Sequence, residues 1–147
     1  MRTATRQDIP KLVEMMRGYA SQAPIQILQD PRNHNDEHVA HLLFSILCGR
    51  GFIVVDNDYR GMIAAIITPN VWCPNVRELR ELAWWVEPEH RNKSIGGRLW
   101  IEFNRRAQEL LDQNRVDYVC TTVMINSPLI DYTKRGFKPL EATFFRD

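Results

Sequence analysis

Apolar positions along the chain fall into blocks that switch between the helical and the strand period. Ile9, Leu12, Val13, Met16 and Tyr19 recur at three- and four-residue steps, which predicts a helix ending near Ser21. Asp8 stands where an N-cap belongs, and Pro10 falls in the first helical turn, where its missing N–H costs nothing. From about Asp36 the pattern repeats with Val39, Leu42, Leu43, Ile46 and Leu47, and predicts a second helix that stops at Gly49 or Gly51. Residues 22–35, with Pro24, Pro31 and several amides, read as an irregular loop between the two.

Residues 2–5 are a short first strand, and 52–56 and 62–68 are apolar runs joined by turn-forming residues 57–61, a hairpin signature. Two prolines interrupt residues 69–75, after which 78–86 reads as a strand. A long helix is predicted from Ile95 to about Gln113, burying Ile95, Leu99, Phe103, Ala107, Leu110 and Leu111. Residues 116–123 form another strand. Residues 126–136 form a short helix with Ser127 as cap, Pro128 at its first position and Gly136 closing it. Residues 137–139 and 141–145 complete the sheet. The order β-α-α-β-β-β-α-β-α-β is that of an α/β (α+β) chain with helices laid on one mixed sheet.

Composition narrows this further. A length of 147 residues suits one domain with one core, and 44% hydrophobic with 25% charged residues is the balance of an ordinary globular protein. A formal net charge of +1 supplies no whole-molecule field toward nucleic acid or an acidic membrane. Cys48, Cys73 and Cys120 are odd in number and lack CxxC spacing, which argues against a disulfide framework or a structural zinc site and for a reducing cytoplasm. No apolar run approaches the roughly 20 residues of a membrane span. The first eight residues lack the apolar segment of a signal peptide.

Candidate chemistry concentrates in residues 81–99. An apolar strand breaks at Pro88, passes through a short basic turn and re-emerges as an amphipathic helix. Such a turn aims several backbone N–H groups and the positive helix end at one spot, which suits a pyrophosphate. Gly96 and Gly97 let a ligand approach the backbone closely, and Arg91, Lys93 and Arg98 add charge. Strand alternation sends the rings of Trp84 and Trp85 to opposite faces. His34, His38 and His41 lie close in sequence but outside any metal-binding motif, so no metal is expected. Cys120 reads as core, and burial is also the expectation for Trp72 and Cys73.

Val86-Glu87-Pro88 followed by Arg91-Asn92-Lys93-Ser94-Ile95-Gly96, with Gly97 next, resembles the signature of the GNAT superfamily of acyl-CoA N-acyltransferases. That signature is R/Q-x-x-G-x-G/A after a strand ending in V-x-P. Asn126 with Tyr132-Thr133-Lys134-Arg135-Gly136-Phe137 resembles the family's second segment, and the likeness extends from Arg2 to Pro139. The chain is also similar to the short members carried by bacteriophage genomes, whose fourth strand likewise has paired aromatics. Ser94 departs from the signature, which has glycine there. Were the position to require φ > 0, serine would be strained and cofactor affinity would fall.

The resemblance implies a single GNAT-like domain over 1–147, with six to seven strands, about four helices, and a splay between the fourth and fifth strands. It implies acetyl-CoA as co-substrate, its pyrophosphate on Arg91, Asn92, Lys93, Ser94, Ile95, Gly96 and Gly97. The pantetheine arm would lie along Trp84, Trp85 and Val86, with Asn126 bridging it. Tyr132 takes the part of the general acid. An amine nucleophile must also lose a proton, and Glu81 is the first candidate base, Glu78 the second and Glu141 a weaker third. Alternation puts Glu81 and Glu78 on opposite faces, and a bulge would swap which one faces inward.

His34 on the loop after the first helix, and Trp84, are expected to meet the acceptor, a small-molecule or peptide amine. Neither nucleic acid nor a membrane is expected as partner, and homodimers are common in such families. Two rival readings stand beside this one: a GNAT-fold binding protein without turnover, and a nucleotide-binding domain unrelated to acyl transfer.

Overall fold

The computed structural model describes residues 1–91, 93–127 and 130–146. In chain order its elements are β1 (Arg2–Thr3), α1 (Ile9–Ser21), α2 (Gln26–Gln29), α3 (Asp36–Ser45), β2 (Gly51–Val55), β3 (Gly61–Pro69), β4 (Arg77–Val86), α4 (Ile95–Asp112) and β5 (Tyr118–Cys120). The five strands lie in sequence order, antiparallel from β1 through β4 and parallel between β4 and β5. Parallel strands need a long crossover, and α4 supplies it.

Two apolar layers sandwich this mixed sheet. Leu12, Val13 and Met15 of α1 and Leu43 of α3 meet Ile53, Met62, Ala83 and Trp85 on one face. Leu99, Trp100 and Phe103 of α4 meet Phe52, Val54, Ile63 and Leu79 on the other. The paired tryptophans divide as strand alternation requires, Trp85 toward α1 and Trp84 toward α4. Gly18 makes the first placement feasible: a Cβ there would lie 2.8 Å from the Trp85 ring, too close for any side chain.

Several expectations are corrected. Among the described residues the sheet has five strands, not six or seven, because residues 137–146 form none. Pro139 lacks a ladder donor, and Leu140 (71% exposed) and Phe144 (90%) do not alternate into a buried face. β5 covers three residues instead of eight, since only Tyr118, Val119 and Cys120 find partners on β4. Residues 22–35 are more ordered than a plain loop, holding α2 and a 3-10 turn, Pro31–Asn33, capped by Asp30. The helix α3 ends in a wider π turn over Ile46–Arg50, with Gly49 at φ +108°. Trp72 (88% exposed) and Cys73 stand in solvent on a turn tied by Asn70, whose side chain accepts from both their N–H groups.

Asp8 holds the N-cap position of α1, but its side chain makes no capping hydrogen bond there. The chain enters α1 through a 3-10 turn, Arg6–Asp8, so Asp8 already has helical dihedrals and its carboxylate turns back to accept from the Thr5 N–H at 2.7 Å. Arg2 grips the same carboxylate through two N–H donors at 2.7 Å each, and the Tyr59 hydroxyl donates at 2.5 Å. The Arg2 guanidinium holds Asp8 well below the usual carboxylate range. Ser127 gives way to Asp131, which accepts from the Thr133 N–H and caps the turn Tyr132–Arg135; Gly136 closes it at φ +85°. Pro128 lies outside the described residues.

One irregularity governs the site. In the β3–β4 ladder Ala64 faces Ala83 but Ala65 faces Glu81, so Leu82 is an extra residue, a β-bulge. Leu79 and Ala83, four apart, would share a face in an unbroken pleat. Here Leu79 packs under α4 and Ala83 under α1.

Candidate active site

The strands β4 and β5 pair at Glu78–Tyr118, Leu79–Val119 and Arg80–Cys120, and then part. β4 runs on to Val86 while the chain beyond Cys120 leaves the sheet. Parallel strands that separate expose backbone donors and acceptors along their facing edges. The gap is a cleft of about 260 Å³. Its walls are the end of α1 (Tyr19, Gln22), the second half of β4 (Glu81, Trp84, Trp85, Val86), the basic turn and first turn of α4 (Arg91, Gly96), the segment after β5, and Tyr132.

Glu81 reaches this cleft although it is only 4% exposed. Its one hydrogen-bond donor among the described residues is the Thr122 N–H, at 3.3 Å. Burial pushes its carboxyl up to about 7, with the Thr122 bond pulling weakly the other way. Glu78 is built differently. It accepts from Arg80 Nε at 2.8 Å, the Tyr118 hydroxyl at 2.7 Å and the Thr68 hydroxyl at 3.2 Å, and Arg80 holds it below the usual range. It does not line the cleft. Glu81 and Glu78 thus separate into a half-satisfied carboxylate in the cleft and a fully partnered one at the β4–β5 seam.

An aromatic stack positions Tyr132. Trp84 stacks on Trp100 (centroids 5.4 Å apart, planes at 22°), and Trp100 meets Tyr132 at 5.3 Å and Phe137 at 5.8 Å. Such offset and tilted pairs fix ring orientation as well as burying area. The Tyr132 hydroxyl donates to the Thr122 carbonyl at a long 3.4 Å. Burial, then the Glu81 charge, raises its phenol well above the ordinary value, so it stays protonated at neutral pH. Tyr19 is pushed up to about 12 by the same two causes. Two protonated phenols therefore share the electrostatic neighbourhood of Glu81.

The basic turn leads into α4 as predicted. Ser94 sits at φ −69°, ψ 3°, so serine is unstrained where the signature has glycine. The N–H groups of Ile95, Gly96 and Gly97 belong to the first turn of α4, where no intrahelical carbonyl serves them. A Cβ at Gly97 would meet nothing within 4 Å, and one at Gly96 would meet only ordinary contacts at 3.7 Å. The fold itself therefore does not demand these glycines, and they leave open space beside the first-turn amides. That cradle fits a diphosphate. Lys93 lies against His90 at 3.2 Å, and Arg98 lies 3.9 Å from the buried carboxylate of Asp56. Asn92 lies outside the described residues.

Arg91 turns back over the cleft wall. Its Nε donates to the Val86 carbonyl and its Nη2 to Gln22 Oε1, both at 2.9 Å, and its guanidinium lies 4.6 Å from the Trp85 ring centre. The Asn126 side chain donates to the Gln22 carbonyl at 2.8 Å. Gln22 thereby ties together the basic turn and the segment after β5.

The remaining candidates scatter. His34 sits in a separate hollow with Arg17, Asn35 and Asp36, its Nε2 against the Leu28 carbonyl at 2.7 Å. His38 and Glu141 are exposed. Among the described residues no group of three or more His, Cys, Asp or Glu is placed to hold a metal, and no helix is long and apolar enough to cross a membrane.

Sequence reasoning missed Tyr19, Gln22, Thr122 and Trp100 as parts of the site. Tyr19 was indistinguishable from the rest of the apolar α1 stripe. Trp100, one helical turn before Phe103, carried a readable signal as an aromatic pair on the α4 core face.

The acetyltransferase (GNAT) family model matches residues 13–137. No curated protein matches the chain. Among solved structures, a Trypanosoma brucei acetyltransferase aligns with TM-score 0.64 and 16% identity over 99% of this chain and 96% of its own. A predicted acetyltransferase from Clostridium acetobutylicum, solved with acetyl-CoA, aligns with TM-score 0.65 and 18% identity over 99% and 94%. A transcriptional regulator from Bacillus halodurans aligns with TM-score 0.68 and 17% identity over 99% and 97%. At such identities the structural likeness speaks for the fold.

Proposed function

Because this chain belongs to the GNAT acetyltransferase family, we propose that it moves an acetyl group from acetyl-CoA to a primary amine by direct transfer in a ternary complex. The observation that carries this reading is a buried, nearly unpartnered carboxylate, Glu81, opening with Tyr132 on the cleft where β4 and β5 part.

The first-turn amides of Ile95, Gly96 and Gly97, with Ser94, Lys93, Asn92 and the remaining N–H groups of Arg91, would hold the cofactor's diphosphate. Trp84, Trp85, Val86 and Asn126 would line its arm. When bound, acetyl-CoA supplies an activated thioester and departs as the free thiol. Glu81 accepts the proton that the amine nitrogen loses as the new C–N bond forms. Tyr132 gives its phenolic proton to the sulfur as the C–S bond breaks, and both groups then exchange protons with water. Backbone N–H groups on the open edge of β4 would stabilise the thioester carbonyl oxygen as negative charge develops. Holding both reactants in one cleft supplies much of the rate through orientation.

The test is thiol release from acetyl-CoA across a panel of primary amines, paired with calorimetry of acetyl-CoA binding. Binding with amine-dependent thiol release supports the reading. Binding without release over the whole panel would leave a cofactor-binding protein, and no binding at millimolar acetyl-CoA would remove the reading altogether.

A further inference from the structure

The acceptor side of the cleft is chemically lopsided. Glu81 is the one carboxylate among the described residues that line it. Asn92, Pro128 and Leu129, at its edges in sequence, carry no acid either. Arg91 is the one cation among the described lining residues, and its guanidinium is already committed to the Val86 carbonyl, the Gln22 side chain and the face of Trp85. The rest is aromatic and aliphatic surface from Tyr19, Trp84, Trp85, Val123, Met124 and Ile130, beside the uncharged polar groups of Gln22, Thr122, Asn126 and Ser127.

Resting on the acetyl-transfer reading, we infer that the acceptor is a monoamine on an apolar aromatic body, an arylalkylamine. One amine, arriving as an ammonium that gives its first proton to water before attack, finds one buried carboxylate and several ring faces, the combination that attracts a cation. The second and third charges of a polyamine would be desolvated here with no further carboxylate to neutralise them, a heavy cost. The carboxylate of a free amino acid would meet Glu81 and no uncommitted cation. Tyr19 is the residue that selects the ring: it is half-buried at the end of α1, packed on the α1-side core, and faces the same cleft as Glu81.

Phenethylamine, tryptamine, n-hexylamine, spermidine and phenylalanine are compared as acceptors with the full chain. Expected are kcat/KM values for phenethylamine and tryptamine ~10-fold or more above those for spermidine and phenylalanine, the scale a shaped apolar pocket provides. Tyr19→Leu should lower the phenethylamine value and leave that for n-hexylamine little changed, collapsing their ratio while acetyl-CoA binding heat persists. A merely structural role for Tyr19 would depress both amines alike. Equal or better turnover of spermidine or phenylalanine overturns the assignment, as does an unchanged ratio in Tyr19→Leu.

Amine binding read by tryptophan fluorescence of the acetyl-CoA-saturated protein separates the two readings. Quenching by phenethylamine and not by spermidine, without thiol release from any amine, sinks the transferase and keeps the ligand class. Thiol release to other amines with neither quenching nor turnover by phenethylamine does the reverse.

Discussion

The backbone N–H of Thr122 donates to the Glu81 carboxylate at 3.3 Å, two residues beyond the point where β5 stops pairing with β4. That single long bond is all the described protein offers a carboxylate 4% exposed. A buried acid so poorly satisfied keeps its proton to higher pH than a surface one.

Rate should follow the ionisation of this group. With Glu81 pushed up to about 7, the base is protonated and idle below that pH and competent above it. kcat/KM should therefore climb with pH to a plateau through an apparent pKa of about 7. Glu81→Gln should cut it by ~10²-fold or more and flatten the limb. A pH–rate profile of both proteins checks this, and an unshifted limb in the variant would remove Glu81 as the base.

Stability should move the opposite way. A carboxyl raised from 4.5 to about 7 on folding adds most to stability below the lower value, and that contribution is lost as pH rises through the upper. Glu81→Gln should accordingly be more stable than the parent at pH 8, by at most ~3 kcal/mol and with a higher Tm, but not at pH 4. Thermal melts at the two pH values are sufficient.

Tyr132→Phe retains the ring that Trp100 and Phe137 hold and deletes only the proton donor. Turnover should fall ~10²-fold while acetyl-CoA binding measured by calorimetry is kept. An undiminished kcat would take Tyr132 out of the chemistry.

Gly97→Ala separates folding from cofactor binding. A Cβ there meets nothing within 4 Å, and alanine is the better helix former, so the melting temperature should hold or rise. Acetyl-CoA affinity should weaken several-fold, because the methyl occupies the cradle. Unchanged affinity would move the diphosphate elsewhere.

Away from the cleft, Tyr59→Phe removes the hydroxyl that donates to Asp8 and should cost about 1 kcal/mol in urea unfolding at neutral pH. Asp8→Ala should cost more, ~2–3 kcal/mol, since Arg2 then loses its carboxylate. A depressed carboxyl contributes stability above its ordinary value of 3.8 and loses it as pH falls, so the gap between Asp8→Ala and parent should narrow in acid.

Long periodic segments were legible in the sequence. The helices α1 and α4, the β2–β3 hairpin and β4 stand within a residue or two of their predicted limits, because each carries a full amphipathic or apolar stripe. The basic turn was legible too, as glycine and charge are local signals. The end of the chain was not: residues 137–145 have strand-like composition, and only tertiary pairing decides whether such a segment joins a sheet. The choice between Glu81 and Glu78 was also hidden. Nothing in the residues around Leu82 announces an insertion, since a bulge is a property of two strands in register. Ser94 was ambiguous for a related reason: composition names the residue, and only the backbone dihedral says whether serine fits.

The additional residue at Leu82 makes β4 two half-strands out of step with one another. Replacements along Arg77–Arg80 should be felt at the join to β5, and those from Ala83 onward in the reaction chamber. Excising Leu82 would bring the halves back into phase, and Glu81 and the tryptophans could then no longer all keep their present sides.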